Sequence, residues 1–514
     1  MKAIISVSDK NGIISLGTEL EKMGCEIIST GGTYRVLNKA GIRVTEVSAV
    51  TGFPECLNGR VKTLHPAIHA GILARRDNHR HMTEIAGLNI EPIDLVIVNL
   101  YPFKETILNP ATDFAEAVEN IDIGGPTMLR AAAKNFRDVA VIVDPDDYPL
   151  IIDELKTKGE ISLPTRLFLM RKVFRYTAAY DALIADYMSR SEESITFPDE
   201  LTLTYEKVED MRYGENPHQK AAFYREIIRP KGTLTDALQL NGKPLSFNNI
   251  NDTNGALELL KEFNEPTVVA CKHANPCGVG SADSIYRAWR KAYAADKVSV
   301  FGGIVVMNRT LTADIAREMK TVFLEVIVAP DYETEALQIL KSKKNLRLLQ
   351  LETAGAEKGG IDFKKVSGGI VIQTVDTELI TDDYRVVTDT SPTQEQFADL
   401  HFAMKIVKHT KSNAIVIAKN RQSVGIGPGQ VNRIWAARQA INHARELIAK
   451  DAAVGAVLAS DAFFPFPDVV EAAHQAQIAA IIQPGGSKRD KESIDKCNEY
   501  QISMIFTGIR HFKH

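Results

Sequence analysis

The sequence predicts an α/β protein in two parts, a helix-covered parallel sheet followed by a duplicated β-α-β-α-β unit. Two observations carry this. From residue 1 to about 145, short apolar runs alternate with helical or polar segments, the rhythm of parallel strands joined by helical crossovers. Beyond residue 198 one series of apolar runs occurs twice, which marks an internal repeat. Composition agrees, since 45% hydrophobic, 25% charged and 7% aromatic residues over 514 positions suit a folded α/β chain and exclude disorder as its main theme.

In the first part the strands are "KAIISVS", "CEIIST", "IRVTEVS", "IDLVIVNLY" and "DVAVIV". The helix from Gly12 to Met23 places Ile13, Leu16, Leu20 and Met23 on one face, as a helix packed on a sheet requires. A longer helix is expected over residues 166–188. The polar stretch 189–200, which contains Pro198, breaks the pattern and sets the domain boundary, giving domains 1–197 and 198–514.

The first copy of the repeat reads "TVVACK", a loop, helix "SADSIYRAWRKAYAA", strand "VFGGIVV", helix "TADIAREMK" and strand "VIVAP". The second reads "NAIVIAK", loop "NRQSVGIGPGQ", helix "NRIWAARQAINHA", strand "VGAVLAS", helix "VVEAAHQAQ" and strand "AAIIQP". The two tryptophans, Trp289 and Trp435, are expected at matching places in the first helix of each copy. Two such units side by side create a crevice at their strand ends, where ligands of open α/β sheets sit.

Charge and cysteine usage narrow the function classes. Lys and Arg number 61 against 65 Asp and Glu, a net charge of -4, so no global field draws the chain to nucleic acid or an anionic membrane. There is no long apolar leader and no stretch of about 18 apolar residues, so a cytoplasmic location is expected. Five scattered cysteines are expected to be reduced thiols.

In the first part the turns "SVSDKNG", "STGGT" and "IDIGGPTM" lead from strand ends into helices. Helix N-termini offer free N–H groups and partial positive charge, and glycine lets a phosphate come close. Each turn alone also reads as a tight, capped loop. "GRVKTLHP" adds Arg60, Lys62 and His65, "NLYPF" adds Tyr101, and "IDIGG" and "RAAAKN" add Asp122 and Lys134. Two lysines, a tyrosine and an aspartate around one anion pocket suit proton transfer and oxyanion stabilisation without a metal.

"SVSDK", "NGRVKTLHP", "NLYPF" and "IDIGGPTMLRAAAKN", in this order, closely resemble the cyclohydrolase half of the AICAR formyltransferase/IMP cyclohydrolase family. "RYGENPHQ", "CKHANPCGVG", "KSNAIVIAKN", "GIGPGQ", "DAFFPFPD" and the terminal "GIRHFKH" resemble its formyltransferase half. The resemblance implies an N-terminal methylglyoxal-synthase-like domain that closes formyl-AICAR to IMP. Lys62 would stabilise the oxyanion, Tyr101 and Asp122 move protons, and Lys134 charge the site. Lys10, Thr30, Gly32, Thr33, Arg60 and Thr63 would hold the nucleotide.

The second half is similarly implied to be a duplicated cytidine-deaminase-like fold that transfers formyl from 10-formyltetrahydrofolate to AICAR. Lys272, His273 and Asn413 match its catalytic positions, with His273 as base. Arg212, Tyr213, Asn241, Phe301, Gly302, Asp331, Arg433 and Arg510 match positions that hold AICAR, and Phe463 and Asp468 match the folate side. Phe463, Phe464 and Phe466 also read as a buried aromatic corner, and His511 and His514 as surface residues of the tail. Pro428 and Cys277 depart from residues common in the family, beside the site. The resemblance further implies a homodimer, no catalytic metal and a bound potassium ion.

The competing reading is a zinc-dependent deaminase with an N-terminal nucleotide-sensing domain, Cys271, His273 and Cys277 being the conceivable ligands. Such enzymes carry H-x-E and P-C-x-x-C. Here Ala274 and Asn275 follow His273, and Cys277 has no cysteine three residues on.

Overall fold

The computed structural model describes residues 1–190, 197–353, 359–382 and 384–514. The chain divides into two compact units, Met1–Glu206 with Glu226–Ile228, and Lys207–Arg225 with Arg229–His514. The polar stretch expected to separate them falls largely on 191–196, outside the described residues.

Unit 1 is a parallel sheet of β1 (Lys2–Val7), β2 (Glu26–Ser29), β3 (Val44–Glu46), β4 (Leu95–Asn99) and β5 (Ala140–Ile142), in the order β3-β2-β1-β4-β5. All five expected strands form; β1, β2, β4 and β5 are apolar runs short enough to be buried on both faces, whereas the edge strand β3 is largely exposed. One face packs with Leu16, Leu20 and Ile151, the other with Leu129, Ala132 and Val173. The expected long helix spans Leu163–Ser189. β1 turns at the centre and the order runs outward on both sides, so the carboxyl ends of β1, β2 and β4 form a switch-point crevice.

β6 (Tyr205–Met211) and β7 (Ala221–Glu226) form a two-stranded sheet, and β14 (Ile361–Val366) and β15 (Gly369–Thr374) a hairpin. The other strands of unit 2 are β8 (Leu238–Asn241), β9 (Thr267–Lys272), β10 (Asn275–Ser281), β11 (Gly303–Met307), β12 (Leu324–Ala329) and β13 (Arg347–Gln350), then β16 (Arg385–Val386), β17 (Ile415–Lys419), β18 (Gln422–Gly427), β19 (Val457–Ser460), β20 (Ala480–Gln483) and β21 (Ser503–Phe506). These join into one 12-stranded sheet. From the antiparallel seam where Gly280 of β10 faces Gln422 of β18, the order runs β10-β9-β11-β12-β13-β8 one way and β18-β17-β19-β20-β21-β16 the other. The duplication is therefore real and larger than expected. Each copy gains an outer strand, a strand before that edge and a leading helix, Phe247–Leu260 or Gln394–Lys408.

Two expectations are corrected. The segments read as loops after "TVVACK" and "NAIVIAK" are strands β10 and β18, whose glycines hid their β character. A Cβ on Gly278 would stand 2.2 Å from the Ala292 carbonyl oxygen, and one on Gly425 2.0 Å from that of Ala440, so these strands are glycine-rich because helices lie directly on them. The same pairing aligns Ala292 with Ala440, which puts Trp289 opposite Ala437 and not opposite Trp435. Trp289 is fully buried and Trp435 is 50% exposed.

One face of the sheet packs against both leading helices in a core common to the copies, with Cys271, Val416 and Val457 in it. The other face is covered copy by copy, under Ile285–Ala295 and under Arg433–His443.

Candidate active site

In unit 1, hydrogen bonds draw the strand ends together. Thr33 Oγ1 accepts the Val7 N–H at 3.1 Å and donates to the Val7 carbonyl at 3.0 Å, and the Ser6 and Thr30 hydroxyls lie 3.0 Å apart. Asn99, buried at the end of β4, accepts the N–H groups of Ser8 and Asp9 at 2.5 and 2.9 Å. The helix Gly31–Lys39 begins here without a side-chain cap, so its first N–H groups face the crevice as an anion cradle. Lys62 Nζ lies 3.4 Å from where a Cβ on Gly31 would stand and 3.1 Å from Glu55. Lys10 folds back, its Nζ 3.2 Å from the Ser8 carbonyl, and burial lowers its pKa.

Asp122 sits at the start of helix Gly124–Lys134, accepting the N–H groups of Gly125 at 2.8 Å and Tyr101 at 3.3 Å. Burial raises its pKa against the pull of those two donors. Tyr176 and Tyr180, one turn apart on the long helix, accept the N–H groups of Leu100 and Asp122 at 3.1 and 2.8 Å. Thr63 is buried, its Oγ1 3.0 Å from a Cβ placed on Gly124.

Lys10, Thr30, Gly32, Thr33, Lys62, Thr63, Tyr101 and Asp122 therefore lie on the strand-end turns and on the loop laid against them. Arg60 is an exposed residue whose guanidinium is taken by Glu119. His65 caps helix Pro66–Leu73 through Nδ1. Lys134 is not brought in, because ten residues of helix, roughly 15 Å, separate its Cα from Gly124. Asn99, Tyr176 and Tyr180 went unread because they act on main chain distant in sequence.

In unit 2, His273 and Ala274 form the two-residue turn between β9 and β10, with φ of 55° and 56°. Lys272 Nζ donates to the Phe301 carbonyl at 2.9 Å, which brings Phe301 and Gly302 to the same place. Pairing along β9, β10, β18 and β17 brings the start of β17, and with it Asn413 two residues earlier, to this end of the sheet. Asn413 Nδ2 donates to the Gln430 carbonyl at 2.7 Å and its Oδ1 accepts Arg433 at 2.7 Å. Arg433 is buried, held also by Asp461 and, at 2.8 Å, by the Ala414 carbonyl. It shapes Asn413 and offers little to a ligand. The carboxyl ends of β19 and β21 lead to Phe463, Asp468 and Arg510 on the same side. Of the aromatic corner only Phe464 is buried, with Phe463 and Phe466 exposed. Burial raises the Asp468 pKa.

A cavity of about 240 Å³ over the seam is lined by residues of both copies, among them Lys272, His273, Asp296, Ser423 and His443. His443 was not anticipated. Two other residues stand apart. Asn241 lies on β8, four strands or about 19 Å from β9, its Nδ2 donating to the Leu346 carbonyl at 2.8 Å. Asp331 follows β12, whose carboxyl end lies beside the end of β11 that faces Val268, at the opposite end of β9 from Lys272. Arg212 and Tyr213 pair with each other at 3.0 Å. His511, expected at the surface, is 1% exposed, with Nδ1 2.7 Å from Asp376 and Nε2 2.9 Å from the Leu379 carbonyl. His514 is exposed.

The conceived zinc set does not assemble. Cys271 belongs to the core on one face of the sheet and Cys277 packs into the core on the other. Burial pushes both thiols up, Cys277 to about 12, the opposite of a thiolate ligand. Among the described residues no three His, Cys, Asp or Glu side chains could hold a metal ion.

A family model described as "AICARFT/IMPCHase bienzyme" matches residues 132–443, and one described as "MGS-like domain" matches residues 12–127. Relatives named "Bifunctional purine biosynthesis protein PurH" are similar along the whole chain. Those of Acetivibrio thermocellus and Ruminiclostridium cellulolyticum are 59% and 57% identical, over 100% of this chain and 99% of theirs. That of a Thermoanaerobacter species is 56% identical with the same coverage.

Proposed function

Because the chain belongs to the AICARFT/IMPCHase bienzyme family and is a bifunctional AICAR formyltransferase and IMP cyclohydrolase, we propose that unit 2 performs the formyl transfer and unit 1 the ring closure. Together these are the last two steps of IMP synthesis, in which AICAR takes a formyl group from a formyl-folate and formyl-AICAR then loses water. The observation that carries the division is the meeting of Lys272, His273 and Asn413 at one end of the unit 2 sheet.

The acceptor amine of AICAR is weakly nucleophilic, its lone pair being delocalised into the imidazole ring. His273 takes the amine proton as nitrogen attacks the formyl carbon of 10-formyltetrahydrofolate. Lys272 leaves the Phe301 carbonyl to protonate the tetrahedral intermediate, and the Asn413 amide supports the oxyanion. Tetrahydrofolate then departs. Phe301, Gly302, Arg212, Tyr213 and Arg510 hold AICAR, while Phe463 and Asp468 face the folate. Asn241 and Asp331 stand too far from His273 in one chain to share its ligand, which supports a homodimer in which a second copy completes the site. The potassium ion that the resemblance implies is assigned no side chains, and no step runs through it.

In unit 1, the helix Gly31–Lys39 and Lys10 receive the nucleotide phosphate, and Lys62 meets the oxygen that gains charge as the carboxamide nitrogen attacks. Asp122, with its raised pKa, and Tyr101 move the protons released with water. Lys134, a helix length away, is left out of its own chain's chemistry. No helix among the described residues is long and apolar enough to cross a membrane; the charged, water-soluble substrates support a cytoplasmic location.

The test uses the full chain with AICAR and 10-formyltetrahydrofolate, reading tetrahydrofolate and IMP. His273→Ala should release no tetrahydrofolate yet still close added formyl-AICAR, and Lys62→Ala should do the converse. Loss of both activities in either variant would refute the division.

A further inference from the structure

We propose that Asp252 and Asn275 are positioning residues for formyl transfer, gripping the main chain of His273 on both sides and tying it to the segment that leads through Asn413 into β17. The inference rests on His273 being the base. A two-residue turn with positive φ at both positions favours Asn-Gly, whereas His-Ala carries a Cβ at each. Such a conformation persists only where its surroundings impose it. Asp252, from helix Phe247–Leu260, accepts the His273 N–H on Oδ2 at 2.9 Å. From the other side Asn275 Nδ2 donates to the His273 carbonyl at 3.2 Å. The Oδ1 of the same amide accepts the Lys411 N–H at 3.1 Å, two residues before Asn413. Both polar groups of His273's main chain are thereby anchored, one to the leading helix and one, through Asn275, to the second copy.

The second copy shows how much of this belongs to the fold. At a constant spacing of 147 residues, Asp399, Lys419 and Asn420 stand where Asp252, Lys272 and His273 stand in the first. Asp399 accepts the N–H groups of Asn420 and Arg421, both at 2.7 Å, and these two residues have φ of 53°. Asparagine enters the left-handed region readily. The turn and its aspartate are thus common property, while the histidine and the Asn275 link to the Asn413 segment belong to the first copy.

His273→Ala sets the reference, since an active variant would sink the base assignment itself. With it inactive, Asp252→Ala and Asn275→Ala should each lower kcat for formyl transfer about 10- to 100-fold while KM for AICAR stays within about threefold, because misplaced reacting groups cost rate more than binding. Asp252→Asn, which keeps an oxygen for the N–H, should recover at least about tenfold over the alanine variant, as should Ala274→Gly added to Asp252→Ala, since glycine holds the turn unaided. Should Asp252→Ala fail to fold, Asn275→Ala carries the test. A kcat within about threefold of the parent in Asp252→Ala or Asn275→Ala, or a loss confined to KM, would overturn the proposal while His273 stands.

Discussion

Asp122 shows how burial alone can prepare a side chain for proton transfer. Desolvation favours its protonated form, and the donors from Gly125 and Tyr101 oppose without cancelling that effect. The acid limb of ring closure should therefore fall at a pH above the ordinary carboxylate value of about 3.9. Asp122→Asn should flatten that limb and lower kcat about 100-fold or more, measured with formyl-AICAR over a pH series. Formyl transfer on the same chain should not change. The residue types at both sites were visible in short motifs, because Lys62, Tyr101, Lys272 and His273 each sit at a strand end or turn that local pattern locates. Their supports were not visible. Asn99 and Asp252 act on main chain 91 and 21 residues away, and no local pattern encodes such a partner.

Strands β10 and β18 were misread for a definable reason. Alternating apolar residues announce a strand only when side chains do the packing, and here backbone carbonyls of Ala292 and Ala440 press on glycine. Gly425→Ala would force its Cβ to within 2.0 Å of the Ala440 oxygen, so the helix Arg433–His443 must shift. A loss of about 1–3 kcal/mol is expected, read as a lower denaturation midpoint by a probe in unit 2. The same change at Gly429, whose Cβ meets nothing within 4 Å but whose φ is 68°, should act through backbone strain and leave the helix packing in place.

The two copies of unit 2 share more than a seam. Glu262, just after the first leading helix, accepts Lys408 Nζ and His409 Nε2, each at 3.0 Å, at the end of the second. Lys408 is buried, and Glu262 and His409 are largely so. Burial would raise the Glu262 pKa, but the His409 and Lys408 partners outweigh it and hold the carboxylate well below its usual range. Burial keeps His409 below its usual value, its Nε2 meets the Glu262 carboxylate, and its Nδ1 has no partner among the described residues. Because the folded pKa of Glu262 lies below the unfolded one, its contribution is full above about pH 4.3 and is lost as pH falls through the folded value. Glu262→Gln leaves the Lys408 ammonium buried without its counter-charge and should cost about 3–5 kcal/mol at neutral pH. Thermal melts from pH 7 to 3 should show the parent approaching the variant only at the acid end. Curves that stay parallel throughout would refute this.

What the order of residues settled was the class of each part and the chemistry at its turns, since strand periodicity, helix faces and turn motifs are local properties written within a few residues. The repeat was also legible, but only its inner half, because an edge strand of two to four residues such as β8 or β16 leaves no periodicity to count. Tertiary structure alone decided which motifs meet. It joined His273 to the Asn413 segment through a 12-stranded sheet, parted Cys271 from Cys277 across that sheet, and left Lys134, Asn241 and Asp331 away from the groups they were expected to join. Proximity across a sheet depends on strand order and register, which are set by the summed packing of the whole chain and by no single stretch of it.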